Sequence, residues 1–277
     1  MDPFMTALAL TAFAGAATFA GGLLGVLGRE PGQRSLGLGL GMAAGVMLSV
    51  SFLELVPEAI AGTQPSLGSV APVAVLVGFA SGLAGYALLD STLGTAVAVR
   101  LPGASVEDGR RRAGGAGPSA PVGGVADRRL LRVGFVTALG IGLHNLPEGF
   151  ATFAATIDDP HVGLALAAAM AVHNVPEGLA VAVPVRRATG SRRSALLWAG
   201  LTAAAEPLGA LVGWLVLAPF VSDALLGLVF AVVAGIMVAI SLDNLLPTAR
   251  AGAGRRITLI GFMLGVSAMV LSLQVLS

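Results

Sequence analysis

A six-residue motif occurs twice in this chain, and the two copies differ at only one position. Residues 144–149 read His-Asn-Leu-Pro-Glu-Gly, and residues 173–178 read His-Asn-Val-Pro-Glu-Gly. Imidazole, carboxylate and amide oxygen together suit a divalent cation such as zinc, iron(II) or manganese. Positions i and i+4 share one face of a helix, so the histidine and glutamate of each copy point the same way. The repeat predicts one metal site built from two helices.

Each copy also contains a proline, Pro147 in the first and Pro176 in the second. A proline inside a helix has no backbone N–H to donate and bends the helix. We therefore expect both helices to be kinked where they carry their histidine and glutamate.

The surroundings of the two motifs are apolar. The 277 residues are 56% hydrophobic and 11% charged, and the mean hydropathy is +0.89. This composition is typical of an integral membrane protein, in which buried ionisable groups usually mark an ion or proton pathway. The net charge of +1, without a basic patch interleaved with aromatics, does not indicate nucleic-acid binding. The absence of cysteine excludes disulfides, thiolate metal sites and cysteine nucleophiles.

Eight apolar stretches are long enough to cross a bilayer, which predicts one all-α transmembrane domain over residues 1–277. The spans are expected at about residues 4–27, 36–60, 70–89, 130–157, 162–185, 195–217, 225–246 and 257–276. Residues 101–129 are rich in Gly, Ala, Pro and Arg and are predicted to form a flexible cytoplasmic loop.

All sixteen basic residues are arginines, and they lie in four of the connections between these spans, with Arg132 at the edge of the fourth span. The other connections and both termini have none. The positive-inside rule then places the arginine-bearing connections in the cytoplasm and both termini on the extracytoplasmic side. We expect a multi-pass protein of the cell inner membrane.

Five further polar or sulfur-bearing residues are candidates for the metal pathway. Glu206 lies in the middle of the sixth span, where a buried carboxylate in a chain without lysine needs a proton or a cation. Met47 is of a type that usually fills cores, although its thioether can also bind a soft cation. Glu54 is placed to line an entrance or to be solvated at the interface. Asp243 and Asn244 are placed to guide exit or to cap a helix.

These residues resemble the ZIP (Zrt/Irt-like protein) family of divalent metal transporters, in particular its bacterial ZupT-like branch. The resemblance covers nearly the whole chain. It is carried by the paired motif and by residues 44–47, 51–54, 205–206 and 235–239. It implies inverted repeats in a 3+2+3 arrangement, in which spans one to three are mirrored by spans six to eight around the fourth and fifth. It also implies a homodimer.

The resemblance further implies a binuclear site midway across the membrane. The main transport site would consist of Met47, His144, Glu148 and Glu177. The neighbouring site would consist of Asn145, His173, Asn174 and Glu206, with Glu148 and Glu177 bridging the two metals. The chain departs from related bacterial members at Asn244, where a glutamate is frequent, and in its long loop, which has no histidine cluster.

The sequence thus predicts a transporter that moves a divalent metal into the cytoplasm within a lipid bilayer, with Zn²⁺ as substrate and Fe²⁺, Mn²⁺, Cd²⁺ or Co²⁺ as alternatives. No catalytic cofactor is expected. A metal-selective channel with the same ligands remains open. An intramembrane metalloenzyme is the other rival, but its best-known signature, His-Glu-x-x-His, is absent and we expect no enzyme.

Metal ligands must be deprotonated to bind, so metal uptake is expected to fall in acid. The fall is expected across the range in which histidine titrates, centred at about pH 6.5. Uptake into proteoliposomes measured between about pH 8 and about pH 5 tests this expectation. A flat profile across that range would count against ligation by the histidines.

Overall fold

The computed structural model describes residues 2–27, 32–100, 125–217 and 222–276, and every regular element in these ranges is a helix. The all-α prediction is confirmed for this part of the chain. The α-helices are α1 (Pro3–Val26), α2 (Gln33–Val50), α3 (Val56–Leu67), α4 (Ala71–Arg100), α5 (Val125–Asp158), α6 (Pro160–Thr189), α7 (Arg192–Val212), α8 (Asp223–Ala239) and α9 (Leu246–Leu276).

Five helical stretches of the described chain are long and apolar enough to cross a membrane. They are Pro3–Val26, Gln33–Thr92, Pro160–Thr189, Arg192–Val216 and Asp223–Gln274. By length and composition the protein therefore crosses a membrane several times. The count of eight spans stays a prediction, as do the kinks, since Pro147 and Pro176 lie inside uninterrupted helices.

Helices α4 and α5 extend beyond the apolar stretches that predicted them. Helix α5 begins at Val125, so the prediction of a loop over residues 101–129 is wrong for 125–129, and 101–124 lie outside the described residues. Alanine, arginine and leucine favour helix without a hydrophobic environment, which explains the longer helix. Arg132 in α5 also pairs with Asp90 in α4, and its Nε donates to Asp90 Oδ1 over 3.2 Å.

Two π-helical stretches each join a pair of consecutive α-helices without a break. Helix α2 continues into α3 through Ser51–Leu55, and α8 continues into α9 through Ile240–Leu245. A proline follows each stretch at the second position, Pro57 in one case and Pro247 in the other. A proline cannot donate to the turn before it, and one way to accommodate the missing bond is a local π-bulge.

Two of the three glycines that have positive φ in the described chain lie at turns inside the longest helical stretches. Gly68, with φ of 54°, lies between α3 and α4, and Gly254, with φ of 77°, divides α9 into two helices. Residues with a Cβ rarely adopt such angles, so glycine is the residue that permits both turns.

The helices sort into two bundles. Helices α1, α5, α6 and α7 pack mainly on one another and form what we call the motif bundle, because α5 and α6 carry the two motifs. Helices α2, α3, α4, α8 and α9 form the support bundle, in which α2 packs along α9 and α8 packs along α3 and α4. Contacts of α2 with α6 and of α5 with α8 join the bundles.

The last residue of each motif is a glycine because two backbones meet there. Gly149 faces the carbonyl oxygen of Glu206 in α7, and Gly178 faces the carbonyl oxygen of Thr18 in α1. Neither position has room for a Cβ. Close approach of this kind is typical of helix packing in lipid. It brings α7, and with it Glu206, directly against the first motif.

Replacing Gly149 with alanine should force α5 and α7 apart, because the new Cβ would overlap the Glu206 carbonyl. We expect the purified variant to lose about 1–3 kcal/mol of stability, the usual cost of overpacking, and to unfold at a lower temperature. Gly142→Ala is the matched control in the same helix, since its nearest neighbour, Thr202 Cγ2, lies 4.0 Å from the new Cβ. Equal melting temperatures for the two variants would contradict this packing.

Candidate metal centre

All seven polar residues predicted for the site from the motifs and from α7 are buried. Each is at most 1% exposed, and they are His144, Asn145 and Glu148 in α5, His173, Asn174 and Glu177 in α6, and Glu206 in α7. The helical spacing puts the histidine, asparagine and glutamate of each motif on its inward face, while Leu146 and Leu143 remain partly exposed on the outward side of α5.

His144 is at the centre of the contacts between α5 and α6. Its Nε2 lies 2.9 Å from Oε1 of Glu177 and 3.9 Å from Oε2 of Glu148. Oε1 of Glu148 is in turn 3.9 Å from Nε2 of His173. Each histidine therefore faces the glutamate of the other motif, and the four side chains form one contiguous group.

The asparagines attach this group to the two flanking helices. Asn145 Nδ2 donates to the carbonyl oxygen of Thr202 in α7 over 3.1 Å. Asn174 Nδ2 donates to the carbonyl oxygen of Ala14 in α1 and to Oε2 of Glu206, both over 2.9 Å. Glu206 thus joins the motif residues through Asn174. Both asparagines use their amide nitrogens in these bonds, and their oxygens remain free to accept a cation.

Nine buried nitrogen and oxygen atoms of these seven side chains have no hydrogen-bond partner among the described residues. They are Nδ1 of His144, Oδ1 of Asn145, both carboxylate oxygens of Glu148, both ring nitrogens of His173, Oδ1 of Asn174, Oε2 of Glu177 and Oε1 of Glu206. A buried polar atom without a partner costs about 1–3 kcal/mol. A divalent cation held by several of these atoms would remove that cost at many of them together.

The donor set fits a divalent metal, but the arrangement is one of hydrogen bonds. Among the described residues, no three His, Asp or Glu side chains are placed as a ready set of metal ligands. Zinc ligands lie about 2.0–2.2 Å from the metal, and His144 and Glu177 instead contact each other directly. Binding a metal here would replace that contact. Ligation by these residues therefore stays a prediction.

Met47 and Glu54 are predicted for the metal pathway from outside the two motifs. Met47 is fully buried in the apolar core that also contains Ile141 of α5 and Ala180 of α6. Glu54 lies in the first π-helical stretch and lines a cavity of about 640 Å³ together with Glu58. Its Oε2 is buried and has no partner in the described part of the chain.

The two residues predicted for exit differ in their surroundings. Asp243 is exposed, whereas Asn244 is only 7% exposed and its Nδ2 donates to the hydroxyl of Tyr86 in α4 over 2.5 Å. Sequence reasoning missed Tyr86, although it is the single tyrosine of the chain.

A sequence repeat that could have revealed further residues was also missed. Residues 45–62 and 235–252 align without a gap at a constant offset of 190. Eight of the eighteen pairs are identical: Gly45 and Gly235, Met47 and Met237, Ser51 and Ser241, Leu55 and Leu245, Pro57 and Pro247, Ala59 and Ala249, Ala61 and Ala251, and Gly62 and Gly252. Both copies contain a π-helical stretch at the same place.

The family profile described as ZIP Zinc transporter matches residues 120–273. The chain is 45% identical over 271 residues to the zinc transporter ZupT of Corynebacterium efficiens, which covers 96% of both chains. It is 45% identical over 271 residues to that of Corynebacterium glutamicum, covering 96% of this chain and 97% of the relative. It is 42% identical over 271 residues to the zinc transporter ZupT of Escherichia coli O7:K1, covering 97% of this chain and 96% of the relative. The chain belongs to the ZIP zinc transporter family.

Proposed function

We propose that the protein carries Zn²⁺ across the inner membrane into the cytoplasm through a binuclear site between α5, α6 and α7. The observation that carries the proposal is the set of nine unpartnered nitrogen and oxygen atoms buried in the motif bundle. Buried carboxylates, imidazoles and amide oxygens of this kind require a cation or protons. The names of the relatives support zinc as the substrate, and Fe²⁺, Mn²⁺, Cd²⁺ and Co²⁺ are further candidates with the same ligand chemistry.

Within this site, the proposed ligands divide into two groups that share the bridging carboxylates. One metal would be held by His144, Glu148 and Glu177, with Met47 approaching from the support bundle. The other would be held by the second motif and by α7, through Asn145, His173, Asn174 and Glu206. The bond from Asn174 to Glu206 supports the second group, because it already places two of its members 2.9 Å apart.

Eight spans are the arrangement that the lengths of the helices favour. The stretches Gln33–Thr92 and Asp223–Gln274 have 60 and 52 residues. At about 1.5 Å per residue they would measure roughly 90 and 78 Å, far more than the hydrocarbon core of about 30 Å. The turns at Gly68 and Gly254 divide each of them into two. Together with α5 this makes eight spans, with the arginines at one side and both termini at the other.

Inverted repeats are supported by contacts that occur twice. The packing of Gly149 on Glu206 in α7 has its counterpart in the packing of Gly178 on Thr18 in α1. The asparagines donate in the same way, from α5 to α7 and from α6 to α1. We therefore propose that α1–α4 mirror α7–α9 around α5 and α6, with the site at the centre, as in many transporters.

The cavity beside Glu54 is the proposed entrance. It is lined by the ends of helices that lie away from the arginines, and it reaches Met170, which is one turn from His173 in α6. Hydrated metal would enter past Glu54 and Glu58, exchange water for ligands in the motif bundle, and leave past Asp243 and Asn244. Movement of the motif bundle against the support bundle would open the site to either side. A homodimer remains a prediction.

Metal uptake into proteoliposomes tests the transport function. We expect wild-type protein to take up Zn²⁺ with a rate that saturates, as a carrier does, and a linear rate would favour a channel. His144→Ala and Glu177→Ala should each reduce uptake by at least about tenfold, which corresponds to about 1.4 kcal/mol. His161→Ala is the control, since this histidine is exposed at the start of α6. Uptake by the two motif variants at the wild-type rate would contradict the proposal.

The number of metals per chain tests the binuclear site separately. Equilibrium dialysis against Zn²⁺ followed by elemental analysis should give two metals per wild-type chain and one for Glu206→Gln, which removes a charged ligand of the second position. Glu58→Gln should keep two, because Glu58 lines only the cavity. One metal per wild-type chain would contradict the binuclear arrangement while leaving transport intact.

A further inference from the structure

We propose that Thr152 in α5 belongs to the metal path, where its hydroxyl binds a water ligand of the incoming cation between the cavity beside Glu54 and the carboxylate of Glu148. This role rests on the proposed transport function and adds to it a residue outside both six-residue motifs. Its basis is the hydrogen bonding of the buried hydroxyl groups and the contacts between α5 and α6.

Most buried serine and threonine hydroxyls in the described helices donate to the backbone of their own helix. This is the ordinary way to satisfy such a hydroxyl away from water, since the carbonyl oxygen one turn earlier lies within reach. Eight of them donate in this way over 2.7–3.0 Å: Thr11, Ser49, Ser51, Thr63, Thr156, Thr202, Ser241 and Thr258.

Three threonines of the motif bundle do not follow this pattern. Thr18 in α1 and Thr137 and Thr152 in α5 are all 0% exposed, and their hydroxyls have no hydrogen-bond partner among the residues that the structure describes. A buried hydroxyl without a partner is costly, so each of these groups is available to bind water or a hydrated ion. Of the three, only Thr152 lies one helical turn from a carboxylate of the proposed site.

Thr152 continues the polar face of α5. It follows Glu148 by four residues, as Glu148 follows His144, so the three side chains succeed one another on one face of the helix. It lies on the side of Glu148 that is away from the arginines at the start of α5. Both carboxylate oxygens of Glu148 also lack a partner in the described chain. The hydroxyl is therefore one turn from two unsatisfied acceptors.

Two contacts of α5 with α6 lie on either side of Thr152. On one side, Glu148 Oε1 is 3.9 Å from Nε2 of His173. On the other side, Thr156 packs so closely on Gly163 that the glycine has no room for a Cβ. Because Thr152 shares a face with both Glu148 and Thr156, it is directed to the seam between α5 and α6.

Thr152 is the only polar side chain that either helix supplies between these two contacts. Residues 149–151 and 153–155 of α5 and residues 164–172 of α6 are all glycine or apolar. The cavity of about 640 Å³ reaches this level, since its lining includes Ala155 of α5 and Met170 of α6. A hydrated cation moving from the cavity to Glu148 would therefore find its first hydroxyl in α5 at Thr152.

A hydroxyl suits the exchange of water for protein ligands. It can accept a hydrogen bond from a metal-bound water and donate one to a carboxylate at the same time. It is neutral, so it adds no charge that would hold the cation in the path. Thr152 should accordingly affect how fast a metal enters the site and leave the equilibrium affinity of the site unchanged.

The test compares Thr152→Val, which removes the hydroxyl at nearly constant shape, with Thr152→Ser, which keeps it. Thr156→Val is the matched control on the same face of α5, because the Thr156 hydroxyl already donates to the carbonyl oxygen of Thr152 over 2.7 Å. Zn²⁺ uptake into proteoliposomes, Zn²⁺ affinity in detergent solution and the melting temperature of the metal-free protein are measured for each variant.

Thr152→Val should take up subsaturating Zn²⁺ about three- to tenfold more slowly than wild type, the factor that corresponds to one hydrogen bond. Thr152→Ser and Thr156→Val should stay within about twofold of wild type, and all three should bind Zn²⁺ with nearly wild-type affinity. Metal-free Thr152→Val should melt no lower than wild type, because the substitution removes a buried hydroxyl that has no partner.

Uptake by Thr152→Val at the rate of Thr156→Val would overturn the inference. A loss that Thr152→Ser does not restore, or that accompanies a lower melting temperature, would also overturn it, since either result indicates a packing defect. A fall in Zn²⁺ affinity as large as the fall in uptake would make Thr152 a ligand of the site and contradict its role in entry. Wild-type protein that takes up no Zn²⁺ would overturn the proposed function, and this inference with it.

Discussion

The burial of three carboxylates and two imidazoles inside an apolar helical bundle is the constraint on which the proposed site depends. Such groups are costly to bury, and part of the cost is offset by contacts among themselves, of which the 2.9 Å approach of His144 to Glu177 is the shortest. The rest of the cost is not offset, because nine nitrogen and oxygen atoms of the seven polar side chains have no hydrogen-bond partner among the described residues. Buried polar atoms without hydrogen-bond partners could bind a cation, which is why we propose a metal site here.

The packing of the helices serves to hold these polar side chains together. The glycine at the end of each motif lets two helices approach closely, α7 against α5 and α1 against α6. The asparagine at the second position of each motif donates a hydrogen bond to a backbone carbonyl oxygen of the same neighbouring helix. The motif bundle therefore carries all the charged residues of the proposed metal site. The support bundle carries the two π-helical stretches Ser51–Leu55 and Ile240–Leu245 and the acidic residues Glu54, Glu58 and Asp243, which are proposed for the two ends of the metal path. If the two bundles move relative to each other, a metal bound to the motif bundle would come to face different residues of the support bundle.

Much of this could be predicted from the sequence, because it depends on local rules. The spacing of His144 and Glu148 fixes a common face in any helix, and apolar length indicates membrane helices. The contact of His144 with Glu177 and the bond from Asn174 to Glu206 could not be predicted in detail, since they depend on how separate helices are rotated. The start of α5 at Val125 was missed because composition does not register helix beyond the apolar stretch. The pairing of Asn244 with Tyr86 joins residues 158 positions apart and has no local signal.

The most direct test of the central claim is anomalous diffraction from crystals of the zinc-bound protein, recorded above and below the zinc absorption edge. The account predicts peaks between α5, α6 and α7, about 2.0–2.2 Å from ligand atoms of His144, Glu148, Glu177 and His173. Peaks confined to exposed acids, such as Asp158 and Asp159 in the turn between α5 and α6, would contradict it.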